Sequence, residues 1–132
     1  MRKITTFLMF EGKAEEAMNF YVSLFEDSEI KSISRYGENE GGAVGSTRHA
    51  VFTINGQELM CIDSVVSHGF SFTPAMSLFV SMDTESELDK IYAALVEGGQ
   101  ILMPLAAYPF SKKYGWVNDR FGVSWQLTLA DA

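Results

Sequence analysis

The sequence predicts an α+β fold of two tandem βαβββ units whose curved mixed sheets form around a cavity, and three observations predict it. The hexamers FYVSLF at 20–25 and IYAALV at 91–96 repeat one helical pattern 71 residues apart. The strand-like stretches ITTFLMF and AMSLFVS precede them at the same spacing, so that Thr6 falls on Ser77 and Leu8 on Phe79. Beyond the helices the spacing drops to 66, and NGQELMCI then covers FGVSWQLT, with Gly56 on Gly122 and Met60 on Gln126. A strand, a helix and a glycine-led last strand recurring in one order mark a duplicated unit. One domain over 1–132 therefore divides into a first unit (1–63), a linker (64–75, opening SVVSHGFSFTP) and a second unit (76–132).

Each element has a physical reason. Residues 3–10 and 76–82 are short, rich in Phe, Ile, Val and Met, and bounded by polar or glycine positions, as buried strands are. Helix one spans about Ala14 to Phe25, with Ala14, Ala17, Tyr21 and Leu24 on one face. Helix two is better marked. Thr84 and Glu87 form a capping box, Leu88, Ile91, Tyr92 and Leu95 form the apolar stripe, and Gly98-Gly99 ends it. Strands follow at 29–36, 47–54 and 57–63, and again at 100–105, 114–118 and 123–129. Asn55-Gly56 is a hairpin signal, because a type I′ turn needs positive φ at both central residues. It fixes a register in which Ile54 faces Gln57, Val51 faces Met60 and His49 faces Ile62, with Arg48 and Asp63 as a possible ion pair.

Composition narrows the function. With 132 residues and 47% hydrophobic content the chain can bury a real core, and a net charge of −7 argues against a nucleic-acid surface. No apolar run reaches the roughly 18 residues of a membrane helix. Met1-Arg2-Lys3 leads into a strand rather than a signal-peptide core, so the expected compartment is the cytoplasm. Cys61, the single cysteine, lies in the run Leu59 to Ile62 and reads as a buried small hydrophobe.

Period-two alternation sorts the residues of a site. If Phe7 and Met9 lie under helix one, then Thr6, Leu8 and Phe10 face the cavity, and by the repeat so do Ser77, Phe79 and Ser81. The hairpin puts His49, Val51, Glu58, Met60 and Ile62 on one face, with Gln126 as the counterpart of Met60. The expected ligand-binding residues are Thr6, Leu8, His49, Met60, Ser77, Phe79 and Gln126, a mostly apolar set with a few polar groups, as small-molecule sites have. His49 is the candidate for acid–base work, since histidine changes charge near neutrality. Trp116 and Trp125 could stack a ring-shaped ligand, but Trp125 adjoins Gln126 and so belongs to the helix side. The stretch AAYPFSKKYG at 106–115 reads as bordering a cavity entrance, with Tyr108, Phe110 and Tyr114 as aromatic contacts and Lys112 and Lys113 as cationic ones, and GENEGGAVGS at 37–46 as a surface loop, with a lid as the alternative.

The paired units, the FYVSLF helix, the NGQELMCID hairpin and the ending WVNDRFGVSWQL resemble the vicinal oxygen chelate superfamily of glyoxalase I, bleomycin-resistance proteins and extradiol dioxygenases. FEGKAEEAMNFY and YGWVNDRFGVSWQLTL are similar to its PhnB-like branch, labelled 3-demethylubiquinone-9 3-methyltransferase-like. The resemblance implies a homodimer. It also implies that metal-dependent members hold an ion at positions matching Thr6, Met60, Ser77 and Gln126. Two hydroxyls, a thioether and an amide hold Zn²⁺, Ni²⁺ or Fe²⁺ poorly, so no metal and no cofactor is expected. The expected function is metal-free binding of a small hydrophobic or aromatic molecule. The alternative is an enzyme of isomerase, lyase or dioxygenase type, or the methyltransferase of the label, although the sequence lacks a glycine-rich strand-to-helix turn for a nucleoside cofactor.

Overall fold

The computed structural model describes residues 2–131. Two compact units, Met1–Gly69 and Phe70–Ala132, divide the chain. The first contains β1 (Thr6–Phe10), α1 (Ala14–Leu24), β2 (Glu29–Arg35), β3 (Thr47–Ile54) and β4 (Gln57–Asp63). The second contains β5 (Leu78–Met82), α2 (Glu85–Val96), β6 (Gln100–Tyr108), β7 (Ser111–Asn118) and β8 (Ser124–Leu129). Each unit is one four-stranded mixed sheet, ordered β1-β4-β3-β2 and β5-β8-β7-β6, and the α+β class with two βαβββ units holds. In both, the first strand runs parallel to the last and the remaining pairs are antiparallel.

The Asn55-Gly56 turn forms with φ of 50° and 76°, and β3 and β4 pair as it dictates, Ile54 opposite Gln57 and Val51 opposite Met60. The parallel pairing follows a different spacing from the sequence echo. Thr6 lies opposite Leu59 and Leu78 opposite Trp125, so the first strands correspond at an offset of 72 while the last correspond at 66. The strand ends agree: Ser64 N–H donates to Phe10 C=O as Ala130 N–H donates to Met82 C=O. The offset of 71 was one residue short, and in a strand that single step exchanges the two faces.

The expected facing of β1, with Phe7 and Met9 under helix one, is also reversed. Leu8 and Phe10 are buried, at 7% and 4% exposure, whereas Phe7 is 50% exposed. Leu8 pairs with Cys61, Cys61 with Ala50, and Phe52 on that face stacks near Tyr21 of α1 at 6.5 Å between ring centres. Thr6, Leu8 and Phe10 therefore share the helix side, and Phe7 and Met9 take the open face. The hexamers are out of phase too. Tyr21 is fully buried, but its letter-for-letter partner Tyr92 is half-buried and Ile91 takes the core position, while the Tyr92 hydroxyl accepts from Leu105 N–H.

The helices start by different means. Thr84 Oγ1 accepts from Glu87 N–H, capping α2 as the sequence predicts. Thr84→Ala is expected to cost about 1 kcal/mol, read as a lower urea midpoint at unchanged slope. Lys13 makes no side-chain cap for α1. Asp63 replaces it from the end of β4: one carboxylate oxygen accepts from Gly12 and Ala14 N–H at 2.8 and 3.0 Å, the other from Thr47 N–H at 2.9 Å. The Arg48–Asp63 pair does not form. Asp63 is buried by backbone donors, and Arg48 instead meets Glu40 at 2.9 Å and Ser34.

The strands expected at 100–105 and 114–118 run longer, so the stretch 106–115 is the end of β6, the start of β7 and the turn between them. Pro104 fits within β6 because β6 is an edge strand, and the register of β6 on β7 shifts three times. The first strands are also shorter than the apolar runs around them, beginning at Thr6 and Leu78. Among the described residues no helix is long and apolar enough to cross a membrane.

Candidate functional site

Each sheet turns one face to its helix and leaves the other open. In the first unit the open face carries Phe7 and Met9 from β1, Met60 and Ile62 from β4, and His49 and Val51 from β3. His49 is partly exposed and stands opposite Ser34. Glu58, on the same face, is held by an ion pair with Lys3. The structure brings His49 and Met60 to one face, as expected, and removes Thr6 and Leu8 from it.

The open face of the second unit is more polar, and its side chains are tied to one another by hydrogen bonds. Gln126 occupies the central strand β8, with Phe79 of β5 as its partner on one side and Trp116 of β7 on the other. Phe79 is 59% exposed. The Trp116 indole N–H donates to Ser124 Oγ at 2.8 Å, and Ser124 Oγ also bonds Ser77 Oγ at 2.9 Å, so a pair of serines pins the indole. The Tyr114 hydroxyl donates to Gln126 Oε1. Burial pushes the Tyr114 phenol pKa up, and the neighbouring Tyr108 adds to the shift, so the hydroxyl keeps its proton across ordinary pH. Tyr108 and Phe110 stack at 5.7 Å and both meet Tyr114 edge-on, which extends the aromatic wall toward the β6–β7 turn. Ser77, Phe79 and Gln126 thus sit together, joined by Trp116, which the sequence offered as a stacking residue, and by Tyr114, which it placed at a cavity entrance. The β7–β8 register brings both to this face, since it sets Trp116 opposite Gln126 and Tyr114 opposite Thr128.

Other candidates settle elsewhere. Trp125 is 1% exposed on the helix side and donates to Asp119 Oδ2 at 2.9 Å. Lys113 reaches Glu85 and Asp89 of α2 at 2.8 and 2.6 Å, so it ties β7 to its helix and is not a free cation at an entrance. Cys61 is buried, and burial together with the Asp63 charge pushes its thiol pKa up to about 12, which leaves almost no thiolate at neutral pH.

The positions matched to superfamily metal ligands hold Thr6, Met60, Ser77 and Gln126. Thr6 lies on the helix side, Ser77 is engaged by Ser124, and the Gln126 oxygen is engaged by Tyr114. That donor set does not fit a transition-metal ion, which takes imidazole, thiolate or carboxylate ligands. Among the described residues, no three His, Cys, Asp or Glu side chains are grouped to hold one elsewhere.

Comparison with known proteins bears on this arrangement. The model of the family described as 3-demethylubiquinone-9 3-methyltransferase matches residues 2–128, nearly the whole chain. The chain belongs to that family. Within the 3-demethylubiquinone-9 3-methyltransferase family it is of the PhnB-like branch. The PhnB protein from Bacillus cereus is 68% identical over 98% of this chain and 100% of its own, with a TM-score of 0.96. A protein from Pseudomonas aeruginosa, 24% identical over the full length of both chains, has the same fold at a TM-score of 0.86. The fosfomycin resistance protein FosX from Listeria monocytogenes shares the fold at 10% identity, 99% and 94% coverage and a TM-score of 0.65. No curated protein sequence matches the chain significantly.

Proposed function

We propose that this PhnB-like protein binds a small hydrophobic or aromatic molecule on an open sheet face without the help of a metal ion, as a cytoplasmic homodimer. The observation that carries the reading is the open face of the second unit, where exposed Phe79 and pinned Trp116 flank a half-buried amide. Apolar walls with a few fixed polar groups are the composition of small-molecule sites. The donor set at Thr6, Met60, Ser77 and Gln126 supports the metal-free part of the proposal.

The methyltransferase of the family description implies a nucleoside methyl donor, and the residues here do not fit one. Such a cofactor is normally held at a glycine-rich strand-to-helix turn of a doubly wound parallel sheet, and both sheets here are mixed. At the β1–α1 turn, Gly12 and Ala14 N–H already donate to Asp63, and at the start of α2 Glu87 N–H donates to Thr84. A second reading, an enzyme using His49 as general base, has support in its partly exposed place beside Met60 on the first unit's open face. His49→Ala separates the two: lost turnover with retained ligand binding favours the enzyme, weakened binding alone the binder.

Native mass spectrometry of the protein purified without added metal tests the main reading. The expected result is a metal-free dimer, with any co-purified small organic mass identifying the ligand. One transition-metal ion per chain would overturn it.

A further inference from the structure

Resting on the binding reading above, we propose that the second unit's open face selects aromatic molecules bearing a hydrogen-bond acceptor, and that the Gln126 side-chain N–H group takes that acceptor. A glutamine amide has an accepting oxygen and a nitrogen with two hydrogens to donate. Tyr114 O–H donates to Gln126 Oε1, which turns the oxygen toward Tyr114 and the nitrogen away from it. The phenol keeps its proton, so the orientation persists across ordinary pH. Among the described residues nothing accepts from Gln126 Nε2, and Nε2 is not one of the buried polar atoms left without a partner, which are Thr47 Oγ1 and Asn118 Oδ1. Its two hydrogens are therefore open to a ligand.

The flanking rings define the rest of that ligand. Phe79 and Trp116 are both register partners of Gln126 on adjacent strands, so their backbones stand roughly 10 Å apart, two interstrand spacings. Two aromatic side chains rising from those backbones on either side of Gln126 offer stacked or edge-on contacts, which favour an aromatic over an aliphatic ligand. The Ser124–Ser77 pair holds the Trp116 wall still, and Tyr114 holds the donor still. Tyr114 is thus a positioning residue, acting through Gln126. No charged side chain takes part in this cluster, which suits a neutral acceptor such as a ring nitrogen, a quinone oxygen or an aryl ketone.

Quinoline and indole test the inference as a matched pair, since both are planar bicycles but quinoline offers a ring-nitrogen acceptor and indole offers only a donor. Each is titrated into the intact ¹⁵N-labelled protein while the Gln126 side-chain amide and the Trp116 indole N–H signals are followed. Quinoline is expected to bind about fivefold more tightly than indole, the ratio one net hydrogen bond supplies, and to move the Gln126 signals. Gln126→Leu is expected to bring quinoline down to the indole affinity while leaving indole within about twofold. Tyr114→Phe, which frees the amide to turn, is expected to reduce the quinoline preference by about half with the rings intact. Equal affinities, or a preference for indole, with Trp116 shifting in both titrations would overturn this inference and leave the binding reading standing. If neither compound shifts Trp116, both are overturned.

Discussion

Replacing Asp63 by alanine is expected to destabilise the protein by about 3 to 5 kcal/mol, because it strands several backbone donors at once in a buried place. The carboxylate is 3% exposed and accepts from Gly12, Ala14 and Thr47, which join the start of α1, the start of β3 and the end of β4. Each buried donor left unsatisfied costs on the order of 1 to 3 kcal/mol, against a total stability of roughly 5 to 15 kcal/mol for a domain. Asp63→Asn keeps the shape and one accepting oxygen but turns an N–H₂ toward a backbone N–H, so about half the loss is expected. Urea unfolding measures both, and a change under about 1 kcal/mol in the alanine variant would refute the cap assignment. Far-ultraviolet circular dichroism adds a local check, since α1 has no cap of its own and should fray first.

Trp125→Ala is expected to cost about 4 kcal/mol, within the range for emptying a buried aromatic site. Trp125 lies on the central strand between Leu78 and Val117, and α2 packs over that face with Leu88, Ile91 and Leu95 buried. Its indole N–H also closes the carboxylate of Asp119, whose other oxygen accepts from Phe121 and Val123 N–H at 2.8 and 3.0 Å. Trp125→Phe keeps most of the ring and loses that bond, so roughly 2 kcal/mol is expected. The urea midpoints of the two variants separate packing from hydrogen bonding. Equal losses would mean that the bond to Asp119, and not the ring, holds the β7–β8 turn.

What the sequence made legible was the part governed by local rules. Asn55-Gly56 fixed the β3–β4 register because a two-residue turn leaves no slack, and from it the shared face of His49 and Met60 followed. Thr84 and Glu87 marked the start of α2 for the same reason. The facing of β1 was out of reach. Its residues TFLMF show no alternation of polar and apolar, and it joins β4 in parallel across a long connection, so no turn ties its register. The assumption that Phe7 and Met9 lie under helix one put Thr6 and Leu8 on the open face. The cap of α1 was equally hidden, since Asp63 is 49 residues from Ala14 in the chain. In β6 the three register shifts broke the strand period, so the strands expected at 100–105 and 114–118 were too short and Tyr114 was read at a cavity entrance rather than beside Gln126. On the open face of the second unit, Gln126 followed from Met60 through the repeat at 66, whereas Ser77 and Phe79 were reached because a spacing one residue short cancelled the wrong facing of β1.

The parallel pairing of first strand with last also orders events in time. β1 has no sheet neighbour other than β4 among the described residues, so Phe7 and Leu8 stay unpaired until residues 59–63 have been made. At about 5 to 20 residues per second, that is a delay of roughly 3 to 10 seconds on the ribosome. β5 repeats the wait with β8, whose pairing residues run from Trp125 to Leu129. A nascent or truncated chain that stops before β8 therefore carries Phe79 and Val80 on a strand with both edges bare, an invitation to pair with another chain. The two units complete themselves one after the other, each only when its final strand arrives.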